Sequence, residues 1–403
     1  MRILFTGGGT GGHLYPALSL AQALRAARAD PGLCQAPASE NCAQRTDDGG
    51  AKAGHGRALS MLFVGVIGAA DDALLRAADV PTARVASAPL ARSSPAAAVV
   101  ALGRNLSGCA QAVSTVARFK PDMVIATGGY AAFPIVAATA ALNALPSTMG
   151  LAKRRRAKIV LLEPNATPGL SNRVLAPFAD AVWGAYAQAA VHFGPKFALT
   201  GTPVRPAMYA LPPADAARRS LGLDPRAFTV LAFGGSQGAR SLNVAVSAMV
   251  GRRRLPSEWQ VLHLCGRRDH GWMVAERQAQ SNANRYLLLA YLEDMKLAYA
   301  AADVAVTRAG ASTIAELGVA GLPSILVPYP HAADDHQTKN AQLFADHGAA
   351  RVLRDDRLDG DSLYWELNQV TAPAKLAAMR VAASALGQPR ALHDMVERIL
   401  CAG

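Results

Sequence analysis

Residues 303–340 read DVAVTRAGASTIAELGVAGLPSILVPYPHAADDHQTKN, and they decide the fold. The apolar run at 304–307 has the length and the β-branched content of a buried strand. A small-residue turn, Ala309-Gly310-Ala311, follows it, and Ser312 and Thr313 open a helical pattern that runs to about Ala320. Gly321, Leu322 and Pro323 stop that helix. Residues 324–328 give a second buried strand, and residues 331–337 a polar loop. This is one β-α-β unit of a parallel sheet, and in such sheets ligands bind at the carboxyl ends of the strands. The amides at the helix start, at the positive end of its dipole, suit an anion such as a diphosphate. Glu316, one turn into the helix, is placed to take ribose hydroxyls. A competing explanation is that Thr313-Ile314-Ala315-Glu316 is a capping box, in which the Glu serves only the helix end. Arg308, directly before the turn, adds a cation, so a nucleotide diphosphate explains the cluster better than a cap alone.

Outward from this unit the same alternation continues. Toward the N-terminus, residues 229–233 form a strand, Gly234-Gly235-Ser236-Gln237-Gly238-Ala239-Arg240 a glycine turn, and a helix starts at Ser241. Strands follow at 260–265, 286–290 and 350–353, and a short helix at 212–226 precedes the group. The chain opens in the same way. Residues 3–5 form a strand, Thr6-Gly7-Gly8-Gly9-Thr10-Gly11-Gly12-His13 the turn, and a helical pattern starts near Pro16. Further strands fall at 62–66, 123–127, 159–162, 181–183 and 196–200. One or two helices fit 90–118, and a buried helix fits 130–145. Strands separated by helices mean parallel sheets, so the class is α/β. Two such domains would face each other across a cleft, with glycine turns from both lining it.

Composition narrows the function. A chain of 403 residues with 51% hydrophobic content supports two sizeable cores. The net charge of +12 points to an anionic partner: nucleic acid, an acidic membrane face or phosphorylated substrates. Only 6% of residues are aromatic, which argues against single-stranded nucleic acid, because base stacking needs aromatic platforms. The five cysteines are scattered, with no C-x-x-C pair, so neither a disulfide framework nor a zinc site is indicated and a reducing compartment fits. The apolar run Ile3-Leu4-Phe5 is too short for a signal peptide, and 130–145 is interrupted by Pro134, Thr139 and Asn143, so any membrane contact is expected to be peripheral.

Several residues carry chemistry. Five glycines between Thr6 and His13 let backbone amides approach a ligand closely. His13 ends that turn, and although a lone histidine is more often structural, this position makes it the candidate general base. Ser236 is a favoured helix-cap type, but glycines around it favour a phosphate contact. Arg240 is either a solvated helix residue or part of this turn's site. Asp334-Asp335 resembles a metal pair but reads as a solvated loop, so no metal and no cofactor are assigned. Residues 30–57 have no apolar period and read as an inserted surface loop.

Taken together and in order, residues 7–13, 127–130, 163–172, 201–205, 234–240, 307–316 and 328–340 resemble the MurG family of bacterial UDP-N-acetylglucosamine transferases (glycosyltransferase family 28). The resemblance covers most of the chain. It implies a GT-B fold of two Rossmann-like domains: residues 1–205 on the acceptor and membrane side, and residues 206–385 binding the UDP-sugar. A C-terminal helix, about 386–403, would pack back on the first domain. It implies inverting transfer of N-acetylglucosamine from UDP-N-acetylglucosamine to the C4 hydroxyl of the muramoyl sugar of lipid I, giving lipid II, at the cytoplasmic face of the inner membrane. Thr10, Gly11 and Gly12 would border the site, with His13 as base. Asn165 and Arg205 would contact the donor from the N-terminal half, and Ser236 would hold the diphosphate. Leu292 would receive the uracil through its backbone. Ala311, Ser312, Thr313, Ile314, Ala315 and Glu316 would bind phosphate and ribose, and Gln337 would read sugar hydroxyls. Partners would be UDP-N-acetylglucosamine, lipid I and an anionic membrane surface, with no nucleic acid.

Two departures stand out: Leu162-Glu163-Pro164 replaces the family's usual His-Glu-Gln, and the stretches at 30–57 and around Lys153-Arg154-Arg155-Arg156 have no counterpart. That basic run would touch the membrane or be solvated; otherwise docking falls to Arg92 and Arg104 with Leu90, Val99, Val100 and Leu102. Alternatives are a diacylglycerol-type lipid glycosyltransferase, a UDP-N-acetylglucosamine 2-epimerase, and a non-catalytic UDP-sugar-binding subunit.

Overall fold

The computed structural model describes residues 1–8, 11–29, 58–88, 95–145, 155–235, 238–252, 255–278, 280 and 283–402. Thr10, Ser236, the 30–57 stretch, Leu90, Arg92, Lys153 and Arg154 lie outside the described residues. The chain divides into two compact units: Met1–Arg205 with Arg390–Gly403, and Pro206–Pro389.

The first unit runs β1 (Arg2–Gly8), α1 (Gly11–Ala29), β2 (Ser60–Val66), α2 (Ala69–Ala77), β3 (Thr82–Arg84), α3 (Pro95–Phe119), β4 (Met123–Ala126), α4 (Phe133–Ala144), β5 (Lys158–Glu163), α5 (Leu170–Leu175), β6 (Ala181–Gly184) and β7 (Phe197–Leu199). Its seven strands are ordered β3-β2-β1-β4-β5-β6-β7, and their pairings are parallel. β1, β4 and β5 are buried along almost their whole length, as continuous apolar runs in a parallel sheet covered on both faces should be. Leu4, Val64 and Val124 pack with Ala112, Val116 and Ile135 of α3 and α4 into one core cluster. α3 is a single helix, and the strand β3 at the sheet edge is too short and too polar to stand out in the sequence.

The second unit runs α6 (Ala214–Ser220), β8 (Phe228–Phe233), α7 (Arg240–Arg252), β9 (Trp259–Leu264), α8 (His270–Gln278), β10 (Tyr286–Leu289), α9 (Met295–Ala301), β11 (Val304–Thr307), α10 (Ala311–Ala320), β12 (Ser324–Leu326), α11 (His336–Asp346), β13 (Ala350–Val352), α12 (Gly360–Asn368) and α13 (Pro373–Leu386). Its six strands are ordered β10-β9-β8-β11-β12-β13, again in parallel pairs. The last helix, α14 (Ala391–Cys401), belongs to the first unit and packs on α1. Among the described residues no helix is long and apolar enough to cross a membrane.

Three local expectations change. β12 stops at Leu326 rather than at Pro328: the Val327 amide still reaches the Thr307 carbonyl at 2.8 Å, but Pro328 has no N–H with which to extend the ladder. α1 begins at Gly11, so Pro16 lies inside it. α11 begins at His336, which puts Gln337 on a helix rather than in the loop. Gly321 ends α10 as read, in the left-handed region at φ 59°, and a side chain there would meet Ser384 Oγ at 2.3 Å.

Candidate active site

In each unit one pair of neighbouring strands sends its following chains in opposite directions along the sheet. In the first unit this switch point lies between β1 and β4, in the second between β8 and β11. Open α/β sheets bind ligands at that crevice.

In the first unit the crevice is built around His13, in the first turn of α1. Its Nδ1 lies 2.9 Å from the Thr127 carbonyl oxygen. A carbonyl only accepts, so Nδ1 carries a hydrogen, and the neutral ring keeps its lone pair on Nε2. The ring lies against Gly128 and Gly129, whose φ angles are 97° and 79°. Side chains at these two positions would come within 3.2 and 3.1 Å of it. The glycines thus make room for the imidazole. Gly7 has a similar reason, since a Cβ there would be 2.2 Å from Thr127 Oγ1. Packing within the unit, and not only approach to a ligand, accounts for these glycines. Gly11 and Gly12 are the first two residues of α1.

Glu163, at the end of β5, is a residue whose role the sequence reading did not find. It is buried, and it accepts four hydrogen bonds. The main-chain and side-chain nitrogens of Asn165 donate to Oε1, both at 3.0 Å. The Gly169 amide and Asn172 Nδ2 donate to Oε2 at 3.1 and 2.9 Å. Burial pushes its carboxyl above the ordinary range, against these donors, which hold it down. Glu163 thereby fixes the loop that presents Asn165. Arg205 stacks over Tyr15 of α1, with its guanidinium carbon 5.2 Å from the ring centre.

In the second unit the crevice holds the start of α10. Gly310 is the N-cap and offers no side-chain cap. Thr313 is the third helical residue, so the competing capping box Thr313-to-Glu316 does not form; the Asp359–Ser362 pair, at the start of α12, is one. Ala311, Ser312 and Thr313 supply the first-turn amides, and Ile314, already inside the ladder, bonds to the Gly310 carbonyl. Ala315 continues the helix to Glu316, which is buried and accepts from the Tyr299 hydroxyl of α9 at 2.7 Å. Arg308 departs from its expected role as a diphosphate cation. It is only 9% exposed and pairs with Asp355 at 2.7 Å. It also donates to Ser241 Oγ at 2.8 Å and to the Val327 and Pro328 carbonyls. Its charge is used to tie β11, α7 and the loop before α12.

Gln337 Oε1 accepts from the Ala309 and Tyr329 amides at 3.2 and 3.0 Å. Its oxygen is therefore committed, and only its side-chain NH2 remains for a ligand. Leu292 lies half-buried in the loop after β10, and its main-chain groups bond to no other described residue. Asp334 and Asp335 sit at φ 51° and 52°, and Asp335 accepts from Thr338 Oγ1.

Behind the glycine turn of β8 lies a buried polar chain. Asn243 Nδ2 donates to the Cys265 carbonyl and to Asp269 at 2.8 and 2.7 Å. Its oxygen is left to accept from His263 Nε2, at 3.0 Å, and the Tyr286 hydroxyl then donates to Nδ1 at 2.7 Å. Burial holds His263 neutral, with its pKa pushed down to about 3. Arg240 closes the chain on Asp269 at 2.9 Å and stacks on Trp272, with its side chain still largely exposed.

The chain is similar to known proteins. Residues 3–45 and 54–183 match the glycosyltransferase family 28 N-terminal domain, and residues 229–395 its C-terminal domain. A Moorella thermoacetica protein named UDP-N-acetylglucosamine–N-acetylmuramyl-(pentapeptide) pyrophosphoryl-undecaprenol N-acetylglucosamine transferase is 35% identical over 99% of this chain and 98% of its own length. A Desulforudis audaxviator protein of the same name matches with the same identity and coverage. The chain belongs to the MurG family of glycosyltransferases. The crystal structure of Acinetobacter baumannii MurG covers 99% of both chains with a TM-score of 0.67 at 24% identity. The S. aureus MnaA–UDP co-structure covers 99% of this chain and 96% of its own, with a TM-score of 0.63 at 13% identity. These likenesses identify the fold, which is GT-B with two Rossmann-like parallel-sheet domains. Of Leu162, Glu163 and Pro164, Glu163 is the residue to which the following loop is bonded.

Proposed function

We propose that this enzyme transfers N-acetylglucosamine from UDP-N-acetylglucosamine to the C4 hydroxyl of the N-acetylmuramoyl sugar of lipid I, forming lipid II with inversion. The observation that carries the mechanism is the His13–Thr127 bond, which leaves Nε2 as the basic nitrogen. The acceptor hydroxyl attacks the anomeric carbon and gives its proton to His13 Nε2. The new bond joins the acceptor oxygen to that carbon; the carbon–phosphate oxygen bond breaks, and UDP leaves with its electron pair. First-turn amides of α10, from Ala311 to Thr313, with Ser236, take the departing diphosphate, as preorganised donors stabilise charge that develops in a transition state. Glu316 takes the ribose hydroxyls, Leu292 the uracil through its main chain, and Gln337 a sugar hydroxyl by donation alone. Thr10, Gly11 and Gly12 border the acceptor, while Asn165 and Arg205 reach the donor sugar.

The lipid acceptor brings the first unit to an anionic membrane, at the cytoplasmic face of the inner membrane. Val99 and Leu106 on α3 are 70% and 63% exposed, with Arg104 exposed on the same helix. That combination of apolar and cationic side chains favours α3 as the docking element. Arg156, by contrast, is paired with Asp180 at the amino ends of β5 and β6. The test is to incubate the purified chain with UDP-N-acetylglucosamine and a lipid I analogue. A β-linked disaccharide product with stoichiometric UDP supports the proposal. Epimerised donor, or binding without turnover, overturns it.

A further inference from the structure

The contacts of His13 include one group that the proposed mechanism has not used, the hydroxyl of Thr127. Thr127 is 1% exposed and continues β4 by one residue, its amide bonding to the Thr6 carbonyl of β1 at 2.8 Å. It touches His13 at both ends. Its carbonyl accepts from the ring Nδ1, and its hydroxyl lies 2.6 Å from the His13 main-chain carbonyl. The same hydroxyl is 3.3 Å from the Thr6 carbonyl, so its single hydrogen goes to the nearer oxygen, that of His13. The first turn of α1 has reason to be held from outside. Pro16 has no amide hydrogen to give the Gly12 carbonyl four residues earlier, so the helix lacks one of its own bonds next to the base. The space for this clamp is kept by Gly7, where a Cβ would be 2.2 Å from the Thr127 hydroxyl.

We infer that Thr127 is a positioning residue for the transfer reaction: its hydroxyl fixes the main chain of His13 while its carbonyl fixes the ring, so that Nε2 is aimed by a strand of the sheet. The inference rests on His13 being the base. It adds that a buried hydroxyl, which never meets a substrate, sets the turnover rate.

The test compares Thr127→Ala with Thr127→Ser, and both with His13→Ala, in the purified full chain. A misplaced catalytic group costs rate rather than binding, so Thr127→Ala should lower kcat by roughly 10- to 100-fold. KM for both substrates, UDP affinity by calorimetry and Tm should stay near the parent's. Thr127→Ser keeps the hydroxyl and should restore most of kcat. If Thr127→Ala does not fold, Gly7→Ala takes its place, because its Cβ must displace the same hydroxyl; it should then show the same loss of kcat with UDP affinity kept. Parental kcat in Thr127→Ala, or in Gly7→Ala where that substitutes for it, would overturn the inference. So would a Thr127→Ser enzyme as slow as Thr127→Ala. If either happens while His13→Ala is inactive, the base assignment stands and only the clamp is lost. An active His13→Ala enzyme would remove the base assignment and the clamp with it.

Discussion

In each unit a helix start lies at the crevice where the sheet switches direction, α1 after β1 in the first and α10 after β11 in the second, and the two are equipped differently. In the first unit the helix start carries an imidazole whose tautomer is fixed by the Thr127 carbonyl. In the second the helix start has a glycine cap and no side-chain cap. Its nearby cation, Arg308, is already paired with Asp355. In the proposed mechanism one crevice moves a proton and the other receives an anion through main-chain amides. A shared backbone plan therefore specifies where a ligand goes, and a few side chains decide what happens there.

The division of labour can be broken at either end. His13→Ala should give the largest effect, a fall in kcat of about 10²–10⁴, the usual range for a lost general base. Donor affinity by calorimetry should hardly change, because the proposed diphosphate contacts belong to the other unit. A parallel loss of donor binding would blur the comparison. Glu316→Ala should do the opposite, weakening UDP binding by more than about tenfold, since a hydrogen bond to a charged group contributes roughly 1.5–3 kcal/mol. Tyr299→Phe removes only the hydroxyl that orients Glu316 and should cost less. If Glu316→Ala lowers Tm alone, its carboxylate serves α9 and not ribose.

Acid should distinguish the native second unit from a variant of it. An unfolded histidine binds a proton near 6.5, whereas burial holds His263 neutral to about 3. Between those values the unfolded chain carries the extra proton, so stability is lost as pH falls, by up to ~1.4 kcal/mol per pH unit. Denaturant melts at about pH 7 and about pH 5 should show that loss in the parent and less of it in His263→Gln. Equal slopes would contradict it. The smallest effect belongs to Gln337→Glu, which keeps the oxygen that holds Ala309 and Tyr329 and removes the NH2. Discrimination between UDP-N-acetylglucosamine and its C4 epimer should fall, by about tenfold or less. Unchanged relative kcat/KM for the two donors would take Gln337 out of the sugar site.

Local pattern carried much of the fold. Val304–Thr307 and the helix ending at Gly321 were legible because strand, helix and stop signals agree there. The start of α1 was not, because its first residues are glycines and Pro16 looks like a first-turn residue. At the site the individual residue types were legible, whereas their partners were not. Thr127 meets His13 across 114 positions, and Arg308 meets Asp355 across 47. The competing capping-box explanation of Glu316 fails because the N-cap is Gly310 and not Thr313, and the partner of the carboxylate, Tyr299, is one that only tertiary packing brings. In the sequence Glu163 stands out only through its neighbours, and its own four bonds form only once the following loop is folded back on it.

The measurement closest to the central claim is the protonation of the His13 ring itself. Nitrogen NMR on histidine-labelled protein, assigned by His13→Ala, reports which ring nitrogen bears the hydrogen in the neutral form. Hydrogen on Nδ1, with Nε2 unprotonated, is the state that the bond to the Thr127 carbonyl predicts and that a base at Nε2 requires. Hydrogen on Nε2, with Nδ1 bare, would contradict the geometry and the mechanism together.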